Sequence, residues 1–302
     1  MGQDSKIEWT HHTFNPWRGC TKVSDGCKNC YAETMSKRNP AVLGIWGDNG
    51  TRVVAAESYW RQPLKWNREA ETAGERRRVF CASLADVLED RPELIAPRRR
   101  LFGVINETFN LDWLLLTKRP ENAQHLFDDV WRHFGWDDDL SVMNVWLGTT
   151  VENRKAKERI DTLRQIPAAV RFLSCEPLLE DLGEVDLTGI HWVICGGESG
   201  TNARAMRPDW ARDLRDQCAA AHVPFFFKQW GEWLPGEQEN GKTTYRRADN
   251  GKAFAVSGNL NRQNFGTHED VHSGSLITVR VGKKAAGRVL DGQTWDELPR
   301  LS

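Results

Sequence analysis

Cys20, Cys27 and Cys30 lie within eleven residues, on the stretch Gly19-Cys20-Thr21-Lys22-Val23-Ser24-Asp25-Gly26-Cys27-Lys28-Asn29-Cys30. Their spacing is C-x6-C-x2-C. Three thiolates from one loop can hold three irons of a [4Fe–4S] cube and leave the fourth iron open. An open iron can bind a small molecule, whereas a fully ligated cluster only passes electrons. Zinc is the alternative, held by the three cysteines with His11 or His12 as a structural Cys₃His site. Zinc ligands usually come as two close couples, and only Cys27 and Cys30 make one here. Three reduced, metal-free thiols are the plainest reading. Free cysteines are mostly buried, however, and this loop is rich in Lys, Ser, Asp and Gly.

The remaining four cysteines are scattered, and Cys81, Cys175 and Cys195 fall in or beside apolar runs, where small core residues belong. Such a distribution in a 302-residue chain is that of a metal or redox site, not of a disulfide framework. With 27% charged and 39% hydrophobic residues, the composition is that of a soluble globular protein. No apolar run is long enough to span a bilayer. The first residues, MGQDSKIEWTHH, lack the basic-then-apolar design of a secretory leader, so a cytoplasmic location is expected. A net charge of −1 argues against a surface built throughout to grip nucleic acid. The basic runs Arg76–Arg78 and Arg98–Arg100 read as solvated helical faces. Trp113, Trp146 and Trp192 sit in apolar patterns and read as core.

The elements that must position the cysteines are legible from residue 79 onward. Short apolar runs, each ending in polar residues, alternate with longer amphipathic stretches. The runs are Val79–Leu84, Asp112–Thr117, Asn144–Thr149, Val170–Ser174, His191–Cys195 and Pro224–Phe227. Their near-continuous apolarity predicts parallel strands buried on both faces. An earlier run, Thr13–Trp17, adds a strand before the cysteine loop, and Tyr31–Arg38 reads as the helix after it. Helices are also predicted over Glu152–Gln165 and Pro208–Ala221. One strand plus six predicts an α/β fold, a partial or complete (β/α) barrel, with a doubly wound open sheet as the alternative. Residues 1–230 form this barrel. Residues 231–302 form a C-terminal extension, with turn signals at Asn240-Gly241 and Asn250-Gly251 and a β-hairpin from Leu276–Val281 and Ala286–Leu290.

Polar residues follow each run at its C-terminal end. They include Ser83 and Asp86, Thr117-Lys118-Arg119, Glu152, Glu176, Gly196-Gly197-Glu198 and Lys228. Active sites of barrels and open α/β sheets gather at the carboxyl ends of strands. Helix capping accounts for an isolated Ser or Thr, but less well for a charged group after one strand after another. A shared polar site is therefore expected, within which Glu176 or Glu198 could also pair with Lys228 or Arg119.

Taken with Lys6-Ile7-Glu8-Trp9-Thr10, Asn15-Pro16-Trp17-Arg18-Gly19-Cys20, Leu115-Leu116-Thr117-Lys118-Arg119-Pro120, Trp146–Asn153, Glu176-Pro177-Leu178-Leu179, Gly196–Gly200, Phe226–Gly231 and Val281–Lys284, the chain resembles a phage-encoded three-Cys-motif family of radical-S-adenosylmethionine-like proteins. The resemblance covers nearly the whole chain. It implies a radical-SAM-like barrel, a [4Fe–4S] cluster on Cys20, Cys27 and Cys30, and a phage or prophage setting in a bacterial cytoplasm. S-adenosyl-L-methionine would be the second cofactor, a flavodoxin- or ferredoxin-like protein the electron donor, and a nucleotide or nucleic acid the substrate. The commonest radical-SAM loop is C-x3-C-x2-C with an aromatic just before the last cysteine. Here the first gap is six, Asn29 holds that position, and Tyr31 follows the last cysteine.

On this reading Lys118, Arg119 and Lys228 are candidate cations for the cofactor's carboxylate. Asp86, Glu152, Glu176 and Glu198 are candidate acceptors for its amine, its ribose or the substrate, with Ser83 and Thr117 beside them. Gly196 and Gly197 would let backbone approach a ligand closely. Glu176, Glu198 and Lys228 are the expected catalytic groups. The competing functions are a zinc-stabilised, non-catalytic binding protein and a cluster-bearing redox or sensor protein.

Overall fold

The computed structural model describes residues 2–136, 143–239, 242–246, 253–255, 265–268 and 276–300. Seven strands form one parallel sheet: β1 (His12–Phe14), β2 (Arg77–Cys81), β3 (Leu111–Thr117), β4 (Val145–Thr150), β5 (Val170–Cys175), β6 (Trp192–Gly196) and β7 (Phe225–Gln229). Spatial order follows chain order without a reversal. Crossovers between parallel strands are right-handed, so a sheet that always advances in one direction keeps its helices on one face. This is the topology of a partial (β/α) barrel. The doubly wound alternative needs a reversal of strand order and is not what the chain forms.

The expected runs are strands within one to three residues of their sequence bounds, the largest differences being the earlier ends of β1 at Phe14 and β2 at Cys81. The helices longer than four residues, among the described residues, are α1 (Tyr31–Arg38), α2 (Gln62–Ala73), α3 (Ile95–Asn106), α4 (Ala123–Phe134), α5 (Glu158–Arg164) and α6 (Pro208–Ala220). Glu33 in the first turn of α1 and Lys37 and Arg38 in its last complement the helix dipole. Gly74 closes α2 in the left-handed conformation that glycine adopts without strain. Pro208 opens α6 where a missing N–H costs nothing. The predicted helix over Glu152–Gln165 is shorter, a 3-10 turn at Lys155–Lys157 followed by α5.

Two compact units divide the chain. The first comprises Met1–Thr150, Glu158–Ser174 and Gly189–His191, and the second Val151–Lys157, Cys175–Thr188 and Trp192–Ser302. In the first, Phe14 of β1 stacks on Tyr59 at 5.0 Å and meets Trp60 and Trp113 edge-on at 5.4 and 5.7 Å. Aromatic pairs of this kind add about 0.5–1.5 kcal/mol each beyond area burial. Trp113, Trp146 and Trp192 are core residues as expected, and so are Cys81, Cys175 and Cys195. The arginine runs are not helical faces of one kind. Arg77 and Arg78 lie in β2, and Arg98 of α3 is buried, donating to the carbonyls of Val87 and Glu89 at 3.0 and 2.6 Å. Only a guanidinium placed among inward-facing carbonyls tolerates such burial.

In the second unit the C-terminal β appendage is present as antiparallel strands. Leu276–Arg280 pairs with both Trp233–Pro235 and Phe265–His268, and Lys242–Arg246 with both Glu237–Glu239 and Ala253–Ala255. Lys283–Ala286 is a helical turn after Gly282 and not the loop of a hairpin. The turns expected at Asn240-Gly241 and Asn250-Gly251 lie outside the described residues. Among the described residues no helix is long and apolar enough to cross a membrane.

His12 opens β1 with its ring stacked on Trp66 at 4.5 Å and its Nε2 buried without a partner. Burial, and after it the Arg77 guanidinium, push this imidazole down to about 4. The unfolded chain, with a histidine near 6.5, then takes up a proton that the folded chain refuses. The stabilisation is complete above pH 6.5 and is lost as pH falls from there toward 4. Urea unfolding should show about 2 kcal/mol less stability at pH 4.5 than at 7.5, much of it absent in His12→Gln. Equal pH dependence in the two proteins would contradict this.

Candidate functional site

The cysteine loop leaves β1 through Gly19, whose N–H donates to Leu84 O at 3.0 Å, so the loop is tied from its first residue to the segment after β2. Asn15 ties the same two segments. Its Nδ2 donates to Ser83 Oγ at 3.1 Å and its Oδ1 accepts from Leu84 N at 2.8 Å. Past the third cysteine, the Tyr31 hydroxyl donates to Ser83 O at 2.6 Å. Both margins of the loop therefore rest on residues 83–84.

Beneath Cys20 lies a buried network of charge. The register pairs Cys81 with Leu115 and Thr117 with Thr149, so the segment after β2 runs alongside the end of β3. Asp86 turns back onto that end, accepting from Thr117 Oγ1 at 2.8 Å and from Lys118 N at 3.0 Å. Arg119 then donates in three directions: to Asp86 Oδ2 at 2.9 Å, to Thr21 O at 2.6 Å, and to Cys20 Sγ at 3.6 Å. Glu89 makes the second arm. Its carboxylate accepts from Thr21 N at 3.0 Å and from Arg52 Nε and Nη2 at 2.6 Å each. Arg52 also reaches Thr21 Oγ1 at 2.9 Å. The Lys118 ammonium donates to Thr150 Oγ1 at 2.9 Å, as the register of β3 against β4 allows.

All three loop cysteines are half-buried free thiols. Burial first, and the Asp86 carboxylate second, push the Cys20 thiol up to about 12 against the pull of Arg119. Burial also raises Cys30, opposed by the N–H groups of Glu33 and Ala32 and by the charge of Lys118. His11 and His12 precede this region by the whole length of β1. His11 Nδ1 accepts from Arg78 N at 2.8 Å and His12 stacks in the core, so both lie at the N-terminal end of β1 while the cysteines follow its C-terminal end. The Cys₃His zinc arrangement lacks its fourth ligand. Among the described residues no three His, Cys, Asp or Glu side chains are gathered as a single ion requires.

Of the sequence-predicted residues, the structure brings Ser83, Asp86, Thr117, Lys118 and Arg119 together in the first unit with Cys20, Cys27 and Cys30. Glu152, Glu176, Gly196, Gly197, Glu198 and Lys228 belong to the second unit, where they are engaged with one another or with neighbours. Lys228 Nζ pairs with Glu176 at 3.0 Å, the pairing the sequence allowed. Glu198 holds Arg204 instead, accepting from its backbone N at 2.8 Å and from its guanidinium at 2.5 and 2.9 Å. Glu152 is fully buried, and its carbonyl accepts from Leu179 N at 2.9 Å. Gln229, beside Lys228 at the end of β7, donates to Ser199 Oγ at 3.0 Å.

Both glycines are required by the protein's own packing. A Cβ on Gly197 would sit 2.0 Å from Trp230 O, and one on Gly196 would sit 2.9 Å from Glu176 Oε1. Gly197→Ala should therefore cost roughly 1–3 kcal/mol or more, since backbone and not a movable side-chain tip stands in the way. A thermal melt unchanged from wild type would contradict this.

Sequence reasoning missed Arg52 and Glu89. Glu89 follows Asp86 by three residues across the apolar pair Val87-Leu88, a spacing that hints at two carboxylates on one side of a turn. Arg52 lies in Gly50-Thr51-Arg52-Val53-Val54 and carries no such hint. Its role appears only when the two-residue strand Val53–Val54 pairs with Trp17–Arg18 and brings it under the loop.

A parallel, chain-ordered βα sheet with a three-thiol loop at the carboxyl end of its first strand, backed by buried arginine–carboxylate pairs, defines a (β/α)-barrel-type protein with a candidate cluster loop. The chain belongs to the family described as Protein of unknown function (DUF5131), whose profile matches residues 4–299. No curated protein matches it significantly. Solved structures of three single-site variants of spore photoproduct lyase are similar at 12% identity. Their TM-scores are 0.45, 0.43 and 0.44, and the matches cover 93% of this chain and 71% of each of theirs.

Proposed function

We propose that the chain is an iron–sulfur enzyme of the radical S-adenosylmethionine type, with the cluster held by Cys20, Cys27 and Cys30. The observation that carries this reading is the anchoring of the three-cysteine loop onto a buried charged platform at the carboxyl ends of β2 and β3. The donor set suits a cluster better than a single ion. A tetrahedral zinc with bonds of about 2.3 Å needs its thiolates roughly 3.8 Å apart, whereas a cube spreads its cysteine sulfurs over separate corners. Three thiolates also need compensating cations in a half-buried site, and Arg119 at Cys20 and the field of Lys118 at Cys30 supply them.

When bound, such a cluster would offer one open iron to S-adenosylmethionine and one electron for cleavage of its sulfonium. The chain's own residues have separable tasks. Arg119, Asp86, Arg52 and Glu89 fix the loop, and Lys118, whose charge acts on Cys30, is a cation for an anionic carboxylate. Glu176, Glu198 and Lys228 are the expected catalytic groups, and with Glu152 they belong to the second unit. A nucleotide or nucleic acid as substrate, the phage setting, the bacterial cytoplasm and a flavodoxin- or ferredoxin-like electron donor rest on the family resemblance in the sequence.

The test is anaerobic reconstitution with iron and sulfide, followed by S-adenosylmethionine and dithionite. Release of 5′-deoxyadenosine supports the enzyme. A loaded cluster that neither binds nor cleaves the cofactor would leave a redox or sensor protein in its place. A colourless protein carrying one zinc per chain would point to the non-catalytic binding protein.

A further inference from the structure

Cys20 is held differently from the other two ligands. Cys27 ends the 3-10 turn Asp25–Cys27 with Ser24 Oγ 3.9 Å from its sulfur, and Cys30 stands just before α1. Cys20 Sγ, by contrast, receives an N–H from the Arg119 guanidinium, Nη1 at 3.6 Å. Arg119 is 7% exposed and has little freedom. Asp86 holds the same Nη1 at 2.9 Å, Thr21 O holds Nη2 at 2.6 Å, and Glu89 stands 3.7 Å away. Asp86 is itself fixed by Thr117 and Lys118 N. The segment from Val87 to Glu89 is clamped from behind by Arg98, and Leu88 O accepts from Asn122 at 2.9 Å.

We infer that Arg119 is a positioning residue which aims a charged N–H at the Cys20 sulfur and sets the reduction potential of the cluster that sulfur would carry, with Asp86 as its counterweight. This rests on the function proposed above. A hydrogen bond and a positive charge at a ligand sulfur stabilise the reduced cluster, which carries one more negative charge, and so raise the potential. Asp86 shares that same Nη1, offsetting the guanidinium's charge and competing for its N–H. Removing either member should therefore move the potential in opposite directions, while damage to the loop moves loading alone.

The experiment is a redox titration of reconstituted wild type, Arg119→Gln, Arg119→Lys and Asp86→Asn, read by EPR of the reduced cluster, with iron and sulfide counted per chain. Arg119→Gln should make reduction at least tenfold less favourable, a fall of at least 59 mV for one electron. Arg119→Lys should fall less, because it keeps the charge but not the fork. Asp86→Asn should rise. Potentials equal to wild type in all three loaded variants would overturn the inference, and so would shifts of the same sign in Arg119→Gln and Asp86→Asn. Failure of the wild type to take up a cluster would instead overturn the proposed function. If Arg119→Gln does not fold, the opposed signs of Arg119→Lys and Asp86→Asn decide the matter.

Discussion

Cys27→Ala is expected to abolish cluster retention while leaving the fold intact. Cys27 stands on a short, half-buried turn outside the arginine–carboxylate network, with its sulfur 3.9 Å from the Ser24 hydroxyl. Loss of the side chain should cost well under about 1 kcal/mol, as for a surface position away from core and caps. Its effect on metal should be nearly total, because a three-thiolate site has no spare ligand. Reconstituted wild type should carry about four irons per chain. Cys27→Ala should carry less than about one, with an unchanged melting curve. Cys218→Ala is the control, since that thiol is buried in α6 and belongs to the core. It should lose some stability and no iron. Equal iron in Cys27→Ala and wild type would remove the loop from the account.

The largest expected effect on stability belongs to Glu89→Ala. The Arg52 side chain is 0% exposed and that of Glu89 only 5%. Deleting the carboxylate leaves a buried guanidinium facing carbonyls and a hydroxyl, and it strips Thr21 N of its acceptor. Breaking a buried pair from one side costs about 3–5 kcal/mol. In a chain of this size that lowers the melting temperature by on the order of 10 °C. Glu89→Gln should fall in between, because it keeps an oxygen for the Thr21 amide and loses the charge. The paired replacement Arg52→Met with Glu89→Leu should be far milder than Glu89→Ala, since two apolar groups leave no charge stranded. A Glu89→Ala protein as stable as wild type would show that the clasp contributes nothing to the loop.

The βα alternation was legible because strands buried on both faces must be apolar without interruption, and few other structures ask for that. Strand order was not legible. The sequence left a barrel and a doubly wound sheet open, and only the unbroken order from β1 to β7 separates them. The cysteines announced themselves by spacing, and Asp86, Thr117, Lys118 and Arg119 by following a strand. What spacing could not tell was the direction each side chain takes. Arg119 reads like Lys118 in the sequence, yet one points to Cys20 and the other to Thr150. Gly196 and Gly197 read as room for a ligand, and the sequence did not tell that Glu176 and Trp230 stand against them. Arg98 read as solvated because its neighbours are arginines, but the carbonyls that bury it come from residues 87 and 89. Arg52 had no signal at all, because its partners arrive from 31 and 37 residues away in the chain.

The central claim is that Cys20, Cys27 and Cys30 hold a cluster with one iron left open to S-adenosylmethionine. The most direct measurement is the EPR spectrum of the dithionite-reduced, anaerobically reconstituted protein, recorded before and after the cofactor is added. The expected result is a [4Fe–4S] signal whose g-values shift on addition, as an open iron gains new ligands, and the absence of that signal in Cys27→Ala. A cluster signal that the cofactor leaves unmoved, or a protein that takes up zinc and no iron, would contradict it.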